Sequence, residues 1–472
     1  MALRLHNTLG RELQEFVPLN DKQVGLYCCG PTVYNYAHIG NLRTYVFEDV
    51  LRRTLEYLGY TVRHVMNVTD VGHLTDDGDE GEDKMIVGAR ERGMTVWQIA
   101  EHFAEAFFSD LDELNIVRPS VICKATDHID EMQQLVAKLE ARDLTYESGG
   151  NVYFATDNFR GYGELALLDR QELKAGARIE VDDQKKNPRD FVLWFTRSKF
   201  GHQAMLWDSP WGKGYPGWHL ECSAMSMKYL GESFDIHCGG VDHINVHHTN
   251  EIAQTEGATG HPSVAYWLHG EFLIMDTGRM GKSEGNAVTL KTVKKRGFKP
   301  LDYRYYLFGA HYRTQLTFSW EALSGARNAR LAFNDRVAGL AKAAGGPDGT
   351  PVGELGSPAR TAREAMVESI SDDMNIPKAL GQLWALMKDD SVPAADRLGV
   401  ALNMDSVLGL RLSDVAAGGA AVLPEDLAAL ISEREQARAR KDFARADELR
   451  DELRQRGVLV EDTASGTTWK LV

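Results

Sequence analysis

The sequence predicts an α/β protein built on a doubly wound parallel sheet, interrupted by an inserted α+β module and followed by an α-helical C-terminal region. Three observations carry that expectation. The chain opens with an apolar run, a Gly-Pro turn, a helical repeat and a second apolar run, in the order strand, loop, helix, strand. From about Ala125 to Trp211 the pattern changes, and short strand-like pieces alternate with polar turns. After about Leu301 helical periodicity dominates, and no strong strand signal returns until the last residues.

Taken in order, Gln23–Cys28 (QVGLYC) reads as a buried strand. A Gly-Pro turn and the tetrapeptide His38-Ile39-Gly40-Asn41 lead into a helix whose apolar positions are Val46, Val50, Leu51, Leu55 and Leu58. A second strand, TVRHVMNVTD, begins at Thr61. This βαβ unit is the opening of a Rossmann-type nucleotide-binding domain. The acidic stretch Asp76 to Asp83 (DDGDEGED) reads as a solvated loop. GNVYFAT and DFVLWFT belong to the inserted module, and the sheet resumes at Phe234 (FDIHCGG). A Gly/Pro-rich linker, Gly345 to Pro358, marks a boundary. A second flexible stretch, Ala416 to Pro424, precedes one highly charged helix from Ser432 to Gln455, closed by Gly457. The expected divisions are 1–124, the first half of the nucleotide-binding domain; 125–230, the inserted module; 231–300, its second half; 301–345, a helical region; and 346–472, a second helical region with a small C-terminal subdomain.

At 472 residues, with 43% hydrophobic and 26% charged residues, the chain exceeds one ordinary core and has the composition of a soluble globular protein. No 18-residue apolar run exists, so no transmembrane helix is expected. The charged N-terminus lacks the apolar core of a signal peptide, so the expected location is cytoplasmic. Five cysteines, Cys28, Cys29, Cys123, Cys222 and Cys238, form no disulfide framework. A net charge of −15 does not attract nucleic acid, so an RNA partner would need local basic patches.

Two short motifs point to a nucleotide. A helix entered through His38-Ile39-Gly40-Asn41 offers backbone N–H groups and two donor side chains to phosphate oxygens, while Gly40 allows a close approach. Arg279-Met280-Gly281-Lys282-Ser283 lies in a Gly-rich segment, where Lys282 could neutralise charge on a departing pyrophosphate. Each alone is also an ordinary turn or basic loop. Their order and separation give them weight. Near them, His247 and Glu251 stand at i, i+4 and share a helix face. Cysteines 28, 29, 222 and 238 and histidines 237, 243 and 248 crowd the same segments, and residue spacing alone does not select a ligand set. Consecutive strand residues point opposite ways, so only one of Cys28 and Cys29 should face a pocket.

HIGN and RMGKS resemble the HIGH and KMSKS signatures of class I aminoacyl-tRNA synthetases. The segments YCCGPTVYNYAHIGNLRTYVFEDVLRR, NVTDV, KKNPRDFVLW, WDSPWGKGYPGWHLECSAMS, HHTNEIAQ and KDFARADELRDEL resemble the cysteinyl-tRNA synthetase family, and they span nearly the whole chain. The resemblance implies ATP-dependent activation of L-cysteine and its transfer to cysteine tRNA. It implies one Zn²⁺ per chain, held by Cys29, Cys222, His247 and Glu251, and ATP with Mg²⁺ as substrate. Catalysis would fall to His38, Asn41 and Lys282. ATP would be bound by His38, Gly40, Asn41, Gly240, Asp242, Arg279, Met280, Lys282 and Ser283. The amino-acid pocket would be bordered by Cys29, Gly30, Thr69, Trp218 and His219. His237, His243, His248 and Cys238 would be supporting or core residues; the family commonly has Gly at the Cys238 position. Residues 301–345 would contact the tRNA stem and 346–472 would bind the anticodon, in a monomer. In that last region Arg434, Arg438, Arg440, Lys441, Arg445, Arg450 and Arg454 are candidate phosphate contacts and Trp469 a candidate stacking residue, though a solvated face reads the same. Asn41 replaces the last His of HIGH and keeps a donor; Gly281 drops a hydroxyl.

Three rival readings remain at this level. A mycothiol-pathway cysteine ligase adenylates cysteine on a zinc site but is shorter, without the full anticodon-binding end. A non-catalytic RNA-binding paralogue would lack the phosphate or zinc residues. A zinc hydrolase would need a general base and an open water position, and neither is evident.

Overall fold

The computed structural model describes residues 2–72, 84–168, 184–197, 203–275, 278–279, 287–418, 425–456, 458–463 and 466–471. The acidic stretch Asp76 to Asp83, and Met280, Gly281, Lys282 and Ser283, lie outside the described residues, as do the side chains of Arg279 and Trp469.

Five strands form the central sheet: β1 (Gln23–Cys28), β2 (Thr61–Val68), β3 (Val121–Lys124), β4 (Phe234–Gly240) and β5 (Val264–Gly270). Their order is β5-β4-β1-β2-β3, and every neighbouring pair is parallel. The chain runs outward from β1 to β3, then returns to the other side of β1 for β4 and β5. The crevice between the C-terminal ends of β1 and β4 is therefore the topological switch point, where such sheets bind ligands.

Helix α1 (Ile39–Tyr57) starts on a capping box: His38 Nδ1 accepts from the Asn41 N–H, and Asn41 Oδ1 accepts from the His38 N–H. It buries Val46, Val50, Leu51 and Leu55, four of the five positions that the periodicity marks; the fifth, Leu58, is the C-cap and is only partly buried. After Leu58 the chain reverses through Gly59, at φ +90°, into β2. Helices α2 (Trp218–Leu230) and α3 (His247–Thr259) belong to the core on the opposite face. Between β3 and α2 in sequence lies a four-stranded antiparallel sheet of Thr145–Ser148, Asn151–Phe154, Phe191–Phe195 and Tyr215–Pro216. Its Val152, Phe154, Phe191, Leu193 and Trp194 share one core with α2.

Two features differ from the expected pattern. A strand at Leu316–Phe318 pairs in parallel with Leu273–Met275, which itself pairs with Gly278–Arg279. Three residues are too few for a period of two to stand out. The charged helix expected from Ser432 to Gln455 is two helices, Glu425–Ala439 and Phe443–Gln455. Lys441 turns at φ +60°, and the Asp442 side chain caps the second helix by accepting from the Arg445 N–H at 3.2 Å. Arg434, a candidate phosphate contact, is 2% exposed.

Four further helices, Trp320–Ala344, Ser357–Ser371, Ile376–Lys388 and Ala394–Leu408, extend the core on the α1 side of the sheet.

Candidate active site

β1 ends on Cys28, and the pleat sends the next side chain to the other face. Cys28 joins the core beneath α1 with Cys238, its register partner on β4. Cys29 enters the opposite core with Cys222. Gly30 follows, and a Cβ there would lie 1.7 Å from the backbone oxygen of Asn67, so only glycine fits between β1 and β2.

Three elements, α2, α3 and β4, bring donors to Cys29. Cys222, on α2, has its Sγ 4.0 Å from Cys29 Sγ. Glu251, on α3, has Oε1 4.0 Å from Cys29 Sγ and 3.0 Å from His247 Nε2. The i, i+4 spacing of His247 and Glu251 thus does place both side chains in one site. On β4, His237 Nε2 lies 2.9 Å from the other carboxylate oxygen of Glu251. His248 Nε2 lies 3.3 Å from Cys29 Sγ, while its Nδ1 is 2.8 Å from His269 Nε2. His269 Nδ1 is in turn 2.7 Å from Thr8 Oγ1.

Two overlapping tetrads result: Cys29, Cys222, His247 and Glu251, and Cys29, His237, His248 and Glu251. In each, the donor atoms lie within 4.8 Å of one another, and every member is buried. A tetrahedral zinc ion with bonds of about 2.0–2.3 Å needs donors roughly 3.3–3.8 Å apart. Modest side-chain movement reaches that, so the residues fit a metal. The first tetrad has the softer donors, two thiols.

The electrostatics suit a cation. Burial pushes the Glu251 carboxyl up, but His237 and His247 hold it well below the usual carboxylate range. Burial alone would lower His247; Glu251 and Cys222 raise it to about 10. Burial raises the Cys222 thiol, yet its hydrogen bond with Cys29 and the charge of His247 bring it down to about 7. Burial pushes Cys29 well up, aided by Cys222. A bound cation would take the place of the His247 and Cys29 protons.

The other expected pocket residues stand close by. His219 Nδ1 is 2.9 Å from His247 Nδ1, and the Trp218 ring lies 4.4 Å from the His247 ring. Thr69 is buried, donating to Glu221 Oε2 at 2.9 Å and accepting from Asn67 Nδ2 at 3.1 Å. The sequence reading missed Asn67, Glu221, His269 and Thr8. Asn67 and Glu221 sit inside quoted segments, NVTDV and GWHLEC, but nothing local marks them as buried.

Across the switch point lies the N-terminus of α1. A Cβ on Gly40 would come within 2.9 Å of His38 Nδ1, so glycine is what lets His38 cap the helix. The Ile39 N–H donates to the Val288 oxygen at 2.7 Å, His38 bridges to Thr289, and the Ile39 oxygen accepts from the Tyr303 hydroxyl at 2.6 Å. The residues that follow the RMGKS segment are thereby fastened to the start of α1. At the end of β4 a Cβ on Gly240 would lie 2.3 Å from Asp242 Oδ1, and Asp242 is exposed there.

The catalytic-domain family of class I (C) tRNA synthetases matches residues 15–328, and the cysteinyl-tRNA ligase anticodon-binding domain matches residues 420–469. The chain is 52% identical over 493 residues to the cysteine–tRNA ligase of Treponema denticola, covering 100% of both chains. The chain belongs to the cysteine–tRNA ligase family. It is also 48% identical to cysteine–tRNA ligase 1 of Burkholderia lata, over 99% of this chain and 96% of that one. A solved methionyl-tRNA synthetase of Mycobacterium tuberculosis with methionyl-adenylate superposes with a TM-score of 0.57 at 16% identity, over 84% of this chain and 92% of that one. That likeness concerns the fold, a class I synthetase architecture. As a cysteine–tRNA ligase the enzyme joins an amino acid to tRNA with ATP. Among the described residues no helix is long and apolar enough to cross a membrane.

Proposed function

We propose that this chain performs the ligase reaction with a division of labour set by the switch point. ATP, with Mg²⁺, lies in the crevice between the start of α1 and the end of β4, held by His38, Gly40, Asn41, Gly240 and Asp242. Arg279, Met280, Lys282 and Ser283 complete that site. Cysteine lies beside Cys29, bordered by Gly30, Thr69, Trp218 and His219. Its carboxylate attacks the α-phosphorus, pyrophosphate leaves, and the adenylate passes its acyl group to the terminal ribose of cysteine tRNA. Such a step needs positioning and charge stabilisation rather than a protein nucleophile. His38, Asn41 and Lys282 supply it.

The observation that carries the substrate reading is the buried donor set of two thiols and a His–Glu pair beside that crevice. Cys29, Cys222, His247 and Glu251 hold one Zn²⁺ per chain. The ion supplies a soft position for the substrate sulfur and favours its thiolate, which a serine hydroxyl cannot match. An apolar pocket alone separates such isosteres by only about 100-fold. His237 and His248 then orient Glu251 and Cys29. Residues 301–345 meet the tRNA stem and 346–472 the anticodon, in a cytoplasmic monomer.

The test is pyrophosphate exchange with cysteine or serine, followed by charging of bulk tRNA. Cysteine-dependent exchange, serine rejection and tRNA charging are expected. Exchange without charging would instead favour a ligase acting on a small amine.

A further inference from the structure

The buried donors around Cys29 outnumber what one tetrahedral ion takes. Each oxygen of the Glu251 carboxylate faces a different imidazole: Oε1 lies 3.0 Å from His247 Nε2, and Oε2 lies 2.9 Å from His237 Nε2. Cys29 Sγ is shared in the same way, 4.0 Å from Cys222 Sγ on one side and 3.3 Å from His248 Nε2 on the other. His248 Nε2 is also 3.9 Å from Glu251 Oε1. For the set of Cys29, His237, His248 and Glu251, these separations straddle the roughly 3.3–3.8 Å that a tetrahedral zinc ion needs between donors. Two-metal sites place their ions about 3.5–4 Å apart, a gap that a bridging carboxylate and a bridging thiolate can span.

Both extra histidines are held as ligands are held. His248 Nδ1 is 2.8 Å from His269 Nε2, and His269 Nδ1 is 2.7 Å from Thr8 Oγ1. With Thr8 accepting at the far end, each imidazole donates through Nδ1, and His248 Nε2 keeps a lone pair toward Cys29. The His237 ring stacks on Trp267, with centroids 4.7 Å apart and planes 20° apart. β4 leaves room beside them. A Cβ on Gly239 would lie 3.1 Å from His248 Nε2 and 2.5 Å from His243 Nδ1, so glycine keeps that side open. Among the described residues the buried His243 Nδ1 has no hydrogen-bond partner. Orientation of Glu251 and Cys29 accounts for the contacts of His237 and His248. It does not account for the gap at Gly239 or for the unpartnered nitrogen that faces it.

We propose that Cys29, His237, His248 and Glu251 form a second, weaker station for a borderline divalent cation such as Zn²⁺ or Co²⁺, bridged to the first ion through Cys29 Sγ and the Glu251 carboxylate. This rests on the metal reading above, which assigns the first ion to Cys29, Cys222, His247 and Glu251. Three anionic ligands face four positive charges when both stations are filled, and the two ions repel each other. The second therefore binds at least about a hundredfold more weakly than the first.

The test is equilibrium dialysis of the full chain against a buffered Zn²⁺ series, without cysteine, ATP or added thiol, with metal counted by elemental analysis. Wild type should bind one ion tightly and a second at higher Zn²⁺. His237→Gln and His248→Gln should each keep the first ion, which shows that the site is folded, and lose the second. His261→Gln, at a histidine exposed elsewhere, should keep both. A second measurement needs no variant: with Co²⁺ in place of Zn²⁺, bridged ions couple magnetically, so the paramagnetic signal of the first should fall as the second enters. A single ion at every Zn²⁺ concentration would overturn the proposal. So would a second ion that persists in both variants or leaves with His261→Gln, or two uncoupled Co²⁺ signals. A wild-type protein that holds no ion at all would overturn the metal reading itself, and this station with it.

Discussion

Gly30 and Asn67 are clamped together at the open end of β1 and β2. The Gly30 N–H donates to Asn67 Oδ1 at 2.8 Å, and no Cβ fits at Gly30 without striking the Asn67 backbone at 1.7 Å. Because Cys29 is the preceding residue, this clamp sets where its thiol points. Gly30→Ala should cost roughly 3 kcal/mol through backbone displacement and should lower metal content. Urea unfolding and metal analysis on the same preparation check it; unchanged stability would show that the two strand ends can part freely.

The two tetrads make different demands. Cys222→Ser and His247→Ala should strip metal during dialysis against a weak chelator, and Cys222→Ser should also lose cysteine-dependent exchange. His248→Ala should retain metal, with affinity reduced by about tenfold to a hundredfold, as for residues that orient ligands. The reverse order of losses would assign the ion to the set with His237 and His248.

Glu48 is 1% exposed on α1, and among the described residues its carboxyl has the Cys28 thiol beside it but no well-formed hydrogen bond. Burial holds this carboxyl well above the usual carboxylate range. The folded state therefore keeps a proton that the unfolded chain releases. The stability tied to that proton is present below the unfolded pKa, about 4.3, and is lost as pH rises through the folded value. Glu48→Gln should melt like the wild type near pH 4 and above it at pH 8.5. Parallel melting curves at the two pH values would show that Glu48 ionises freely in the fold.

Arg304 and Asp49 form an ion pair at 2.5 Å with both side chains fully buried, tying α1 to the helix Pro300–Leu307. Burial would raise Asp49, but Arg304 and Arg53 hold it below the usual range. Its stabilising contribution is present above the unfolded value, about 3.9, and is lost as pH falls. Arg304→Met leaves a buried carboxylate short of its partner and should cost about 3–5 kcal/mol at neutral pH. Less should be lost in acid. Urea titrations at pH 7 and pH 4 measure the difference.

Much of the fold was legible because its signals are local. A strand, a capped helix and a second strand each carry their own period, so β1, α1 and β2 can be read in place. The helix from Ser432 to Gln455 shows the limit. Its charge pattern continues across Lys441, and the break depends on a left-handed residue and an Asp442 cap. Leu316–Phe318 exists as a strand only because Leu273–Met275 lies alongside it.

The candidate site divides the same way. By itself the sequence determined the family, through motifs spread along the chain, and the pairing of His247 with Glu251 on one helix face. Only the tertiary structure decided that Cys29 rather than Cys28 faces Cys222, that His237 and His248 share Cys29 and Glu251 with the first tetrad, and that Thr289 adjoins His38. The physical reason is that residue spacing fixes direction within one element. Distances between residues 29, 222 and 251 follow from how the sheet reverses its strand order at β1 and from the packing of α2 and α3 against it. No single stretch of sequence records either.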